Sequence, residues 1–117
     1  MQTINIHTKD LSIHLESKKY RIYVLGGLGI KMGEFSLSIE KRRTKEIIHS
    51  KRTKWPVQSY LDVKRSKRIL TLNHPVKGDY NLIIKKPKTL QIKESNLLTS
   101  SLFRDPIDND KIEIYFQ

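Results

Sequence analysis

Apolar residues two apart recur along almost the whole chain. Ile4 and Ile6, then Leu11, Ile13 and Leu15, then Tyr20, Ile22 and Val24, then Phe35, Leu37 and Ile39 keep this spacing in the first third. It returns in Leu70 and Leu72, in Tyr80, Leu82 and Ile84, in Leu90 and Ile92, and in Ile112, Ile114 and Phe116. A period of two sends alternate side chains to opposite faces of a pleated strand, so each run reads as a half-buried β-strand. Turn-forming stretches separate the runs: "TKD", "ESKK", "GGLG", "NHPVKGD", "KKPK" and "RDPIDND". The expected fold is all-β: an antiparallel sandwich, jelly-roll or Ig-like, or a barrel of about eight strands.

Composition argues the same way, because the chain has no alanine, the residue a helix accommodates at least cost. A single helical segment is expected near residues 95–104, with Asn96 as N-cap, Leu98 and Leu102 four apart and Arg104 near the end; a packed loop is the alternative. At 117 residues the chain fits one β domain spanning 1–117, with basic hairpin tips and an acidic segment at 94–117. The absence of cysteine excludes disulfides, thiolate zinc sites and thiol catalysis. The first residues lack a basic then apolar leader and no apolar run reaches bilayer length. A soluble, unprocessed protein, cytoplasmic or virion-associated, is therefore expected.

Lysine and arginine give a net charge of +11 and a pI near 10.0, the profile of a protein that meets phosphates or an acidic surface. Richness in Ile, Lys and Asn is also what A+T-rich coding produces, so part of the excess is compositional. The charge is uneven: Glu94, Asp105, Asp108, Asp110 and Glu113 against Arg104 and Lys111 leave residues 94–117 at −3 and the first 93 residues at +14.

Two stretches concentrate the positive charge. In "IEKRRTKEIIHSKRTK" the cations are Lys41, Arg42, Arg43, Lys45, Lys51, Arg52 and Lys54, followed by Trp55; in "VKRSKRIL" they are Lys64, Arg65, Lys67 and Arg68. Leu37, Ile39, Ile47 and Ile48 do not form a helical stripe, so the first stretch reads as a hairpin with "KRRTK" at its exposed tip and Ile47 or Ile48 dipping back towards the core. The second also reads as a hairpin tip. If both lie at one end, with "SKKYR" or "KKPK" beside them, they form one anion-binding patch; if they lie on opposite sides, no single grip exists. The competing reading is that such cations only solvate a β-protein and block sheet-to-sheet association at its edges.

Specific nucleic-acid modules leave fingerprints that are absent here: zinc-ligand spacing, helix-turn-helix periodicity, an aromatic RNP strand. Trp55, with Tyr20, Tyr23 and Tyr60, could stack on unpaired bases, though such aromatics commonly fill a β-core. "VLGGLGIKMGEF" lacks the GK[ST] ending of a phosphate loop and reads as a glycine turn or bulge. "DPIDND" with Glu113 gathers oxygen ligands without the spacing of a calcium loop. The histidines show no metal spacing, although His7 and His14 could meet across a hairpin. No local catalytic signature joins the Ser, His and acidic residues, so neither enzyme activity, nor cofactor, nor metal is expected.

The expected function is that of a non-enzymatic structural or adaptor subunit of a larger assembly, such as a viral or phage particle or a nucleoprotein complex, docking through a basic surface. A protein partner or self-association is expected, and "KIEIYFQ" could add to a neighbour's sheet edge. The alternative is a sequence-tolerant nucleic-acid-binding protein using the basic tips. A carbohydrate-binding sandwich would need an aromatic platform that only Trp55 and Tyr60 suggest. No membrane span and no small-molecule substrate is evident.

Overall fold

The computed structural model describes residues 3–26, 29–53, 58–61, 64–73, 75–93 and 108–117; along 58–61, 64, 65 and 93 it is the backbone path that is described. The expected all-β architecture is what these residues form. The strands are β1 (Ile4–Asn5), β2 (Ser12–Leu15), β3 (Tyr20–Leu25), β4 (Gly29–Lys31), β5 (Ser36–Lys41) and β6 (Ile47–His49), then β7 (Lys51–Arg52), β8 (Gln58–Leu61), β9 (Lys64–Leu72), β10 (Gly78–Lys85), β11 (Gln91–Lys93) and β12 (Glu113–Phe116). One sheet runs β1-β12-β3-β9-β7, with β8 also on β9; a second runs β2-β10-β5-β6; β11 and β4 form a small third. Every described pairing is antiparallel.

The alternation read from the sequence is the core. Ile22, Val24, Leu70, Leu72 and Ile114 of the first sheet meet Leu15, Leu37, Ile39, Tyr80 and Leu82 of the second, and all are buried. Strands outnumber the expected eight because the chain changes sheets in mid-run. Ser50, whose N–H donates to Leu37 O at 3.1 Å, separates β6 in the second sheet from β7 in the first. A register shift between Ile22 and Tyr23 marks a bulge in the β3–β9 ladder, where an extra residue is accommodated on one strand. On the opposite face of the first sheet, Tyr23, Leu25 and Tyr115 form a second buried cluster, with the two tyrosine rings stacked at 5.1 Å. The helical candidate at 95–104 lies outside the described residues.

Three turns gather at one end of the second sheet. Leu15 pairs with Gly78, and Lys77 N–H donates to Ser17 Oγ at 2.9 Å, so the β2–β3 turn adjoins the residues entering β10. Lys41 pairs with Tyr80, and Arg42 N–H donates to Asp79 O at 3.1 Å, bringing in the β5–β6 turn. At the other end of β10, Asn109 holds the chain together. Its Nδ2 donates to Pro87 O and Leu90 O at 2.9 and 2.8 Å, while Oδ1 sits 2.6 Å from His7 Nε2. Because the amide nitrogen donates twice, Oδ1 is the acceptor, and the His7 proton in this contact is on Nε2.

The C-terminal strand corrects one expectation. β12 is enclosed between β1 and β3, and Gln117 continues the ladder by exchanging backbone hydrogen bonds with Arg21 at 2.8 and 2.9 Å. "KIEIYFQ" thus pairs within its own sheet, with β3 along Ile114 to Phe116 and with β1 at Glu113 and Ile114.

A candidate cationic docking face

The β5–β6 hairpin carries four cations where its geometry exposes them. Lys41 N–H donates to Glu46 O and Lys45 N–H to Lys41 O, both at 2.8 Å, closing the turn over Arg42, Arg43 and Thr44. Lys45 holds the left-handed position of this turn, φ 65°, which L-residues adopt at a cost. Arg42, Arg43 and Lys45 are exposed, and Lys41 is half-buried. Cross-strand pairing puts Lys41 on the core face of β5 beside Tyr80, so its aliphatic stem covers the end of the core while the ammonium reaches water. Its Cε lies 4.0 Å from where a Cβ on Gly78 would stand.

Among the described residues, Lys41, Arg42, Arg43 and Lys45 make no side-chain hydrogen bond or ion pair. Two nearby carboxylates, Asp79 and Glu16, are engaged elsewhere. His14 Nδ1 lies 3.0 Å from Asp79 Oδ1, His14 Nε2 3.4 Å from Glu16 Oε1, and Lys77 Nζ 3.7 Å from Glu16 Oε2. All these groups are more than half exposed, so the pairs contribute little stability, but they leave the hairpin cations uncompensated at short range. Lys18 and Lys19 of "SKKYR" share this end, with Lys18 Nζ 4.9 Å above the Tyr20 ring. "KKPK" does not, since Lys85 pairs with Ser36 at the far end of β5.

Both exposed large hydrophobic residues among those described also belong here: Ile47, 48 % exposed, opens β6 directly after the turn, and Val76, 61 % exposed, precedes Lys77. Of the pair expected to return to the core, Ile48 does so, half-buried against it.

The second basic stretch is elsewhere and differs in kind. Lys64 to Arg68 lie within β9, whose register pairs Leu61 with Lys64, Tyr60 with Arg65 and Gln58 with Lys67. Lys64 and Arg65 thus begin β9 at the end of its ladder with β8, beyond its pairing with β3, while Lys67 and Arg68 lie further in, with β3 on the other side. Lys67 faces Val24 and Arg68 faces Tyr23, residues on opposite faces of the sheet; both cations are half-buried, and Arg68 Nε is buried without a hydrogen-bond partner. Lys51 pairs with Thr71, so Lys64 stands seven residues, about 23 Å, further along β9. The path from the β5–β6 turn through β6 to β7 leads away from that turn. The two stretches thus occupy different ends of the molecule. Lys51 and Arg52 sit between them on β7, and Arg52 Nη2 donates to Gly33 O at 2.7 Å. Lys54 and Trp55 lie outside the described residues.

His7 and His14 do not meet: the first bonds Asn109, the second Asp79. Among the described residues no three His, Asp or Glu side chains stand together as metal ligands. Sequence reasoning did not single out Val76, Lys77, Gly78 and Asp79 as site residues. "NHPVKGD" was legible as a turn, but which hairpin it would adjoin depends on strand order.

Tyr80 ties this end to the core. Its ring is buried and its hydroxyl donates to Val76 O at 2.6 Å. Burial, and then the charge of Glu46, raise its pKa above the usual tyrosine value. The raised folded-state value means that this stabilisation is complete below about pH 10, the unfolded value, and is lost as pH climbs through the folded one. Tyr80→Phe is expected to cost about 1 kcal/mol at neutral pH in urea titrations. It should also reduce the loss of stability above about pH 10. An unchanged alkaline limb in the variant would contradict that assignment.

No protein-family model, no curated protein and no solved structure matches the chain. Among the described residues no helix is long and apolar enough to cross a membrane.

Proposed function

We propose that this protein is a non-enzymatic structural or adaptor subunit of a larger assembly that docks an acidic partner surface on its cationic end. The observation that carries the reading is a coincidence of two properties. The cations Lys41, Arg42, Arg43 and Lys45, crowded on one hairpin and making no short-range pair, share one end with Ile47 and Val76, the exposed large hydrophobics among the described residues. Charge steers encounter and sets orientation, while desolvated apolar side chains supply binding energy; an interface uses both. Single exposed apolar side chains are ordinary on a protein surface; it is their place beside the crowded cations that favours an interface.

The test is copurification from the native source followed by sedimentation of the purified complex. The wild-type chain is expected to hold a partner of fixed stoichiometry, or to self-associate. Arg42→Gln combined with Arg43→Gln should weaken the complex about tenfold or more, and Lys51→Gln should not. A solitary monomer at every concentration, or equal effects of the two variants, would count against the reading.

Sequence-tolerant nucleic-acid binding is supported by the exposure of Arg42, Arg43 and Lys45, and a duplex held by the hairpin end alone would meet only Lys41, Arg42, Arg43 and Lys45. With about four phosphate contacts, the slope of log affinity against log salt should be no steeper than about −3.6. No binding of DNA or RNA at low salt eliminates this reading.

A further inference from the structure

The cationic end is not flat. Lys41, Arg42, Arg43, Lys77, Gly78 and Asp79 line a recess of about 530 Å³ between the β5–β6 turn and the start of β10. Four of these residues are cations and one is a carboxylate, so the recess carries a local charge of +3. Its carboxylate faces His14, and Lys77 leans on Glu16; Lys41, Arg42 and Arg43 have no such partner among the described residues. Beyond the rung that pairs Lys41 with Tyr80, Arg42 N–H donates to Asp79 O, which brings the turn against the start of β10. The Lys41 stem lies beside Gly78, its Cε 4.0 Å from where a Cβ would stand there.

We propose that this recess is an oxyanion site for a phosphomonoester group, an inference that rests on the cationic end being the docking face. Three features of the recess select that chemistry. Two successive arginines offer planar N–H forks, the geometry that pairs with phosphate oxygens, and two ammonium groups add point charge. A phosphomonoester carries between −1.5 and −2 charge near neutral pH, close to what four cations and one carboxylate can neutralise. The surroundings disfavour a long polyanion: Glu16 and Asp79 stand beside the recess, and Glu46 belongs to the turn that walls it. A chain of phosphates leaving the recess would run past these carboxylates, whereas a single terminal phosphate would not. The shared chemistry admits a free phosphate ion, a phosphorylated side chain or a nucleoside monophosphate.

The experiment is an amide chemical-shift titration of the ¹⁵N-labelled full chain with inorganic phosphate, with a blocked phosphoserine and with a nucleoside monophosphate. Each is compared with sodium chloride and sodium acetate at matched ionic strength. Saturable shifts at Arg42, Arg43, Gly78 and Asp79 with a phosphate species, and not with chloride or acetate, are expected. Arg43→Gln should weaken that binding about tenfold, while Lys51→Gln, which alters an exposed cation on β7 outside the recess, should leave it unchanged. Saturation by inorganic phosphate as tight as by the esters assigns the free ion, and tighter binding of one ester assigns its source. Shifts that follow ionic strength alone, or an equal loss in Lys51→Gln, would overturn the proposal. If partner binding survives while phosphate has no effect, the site is refuted and the docking face stands; if neither binds, both fall.

Discussion

Gly33→Ala is expected to destabilise the protein by about 2–5 kcal/mol, although the residue is exposed and adds a single methyl. Two costs combine. Gly33 has φ +56°, in the left-handed region that an L-residue pays about 1–2 kcal/mol to occupy. Its new Cβ would stand 2.6 Å from Thr89 O and 2.7 Å from Thr89 Cβ, well inside contact distance. Thr89 has little freedom to retreat: its Oγ1 accepts the Glu34 N–H at 3.0 Å and donates to Lys86 O at 2.7 Å. Overpacking against such a fixed neighbour costs about 1–3 kcal/mol more. Urea unfolding should show a lower midpoint with an unchanged slope. A loss below about 1 kcal/mol would mean that the close approach of Gly33 to Thr89 is not a feature of the folded protein.

Ile39→Ala is expected to cost about 2–5 kcal/mol, the range for truncating a fully buried aliphatic side chain. Ile39 is 0 % exposed, pairs with Leu82 on one side and Ile48 on the other, and sits among side chains from both large sheets. The informative control is Ile47→Ala, one position along β6 from Ile48. That side chain is 48 % exposed, so its truncation should change stability by no more than about 0.5 kcal/mol. The same variant should weaken docking, because Ile47 flanks the cationic hairpin. Equal destabilisation by the two variants would place Ile47 in the core and remove it from the proposed interface.

The relation between these neighbours shows what the sequence made legible. Alternation marked Leu37 and Ile39 as core and "KRRTK" as a turn, because period and turn chemistry are local properties of a strand. It did not anticipate Tyr23, Leu25 and Tyr115, which are buried on the outer face of the first sheet, since period two assumes that one face meets water. The run Lys64 to Arg68 read as a hairpin tip; Lys64 and Arg65 do start β9 at the end of its ladder with β8, but Lys67 and Arg68 run on into the sheet beside β3, where backbone partners fix the register regardless of side-chain charge. The sheet switch at Ser50 was equally hidden, because "IIHSKR" carries no proline or glycine to announce it. The recess was the least legible feature: it joins residues 41–43 to 77–79, and that proximity comes from β10 pairing with both β2 and β5.

The division of positive charge between two ends can be measured as a distance. The chain has no cysteine, so pairs of introduced cysteines carry spin labels at defined positions only. One pair, Thr44→Cys with Ser17→Cys, spans two turns of the same end, on strands that flank β10, and its electron–electron distance should fall within roughly 20 Å. The other, Thr44→Cys with Arg65→Cys, spans the two basic stretches and should exceed roughly 30 Å, given the strand lengths between them. Similar distances in the two pairs, with Arg65 as close to Thr44 as Ser17 is, would contradict a separate cationic end.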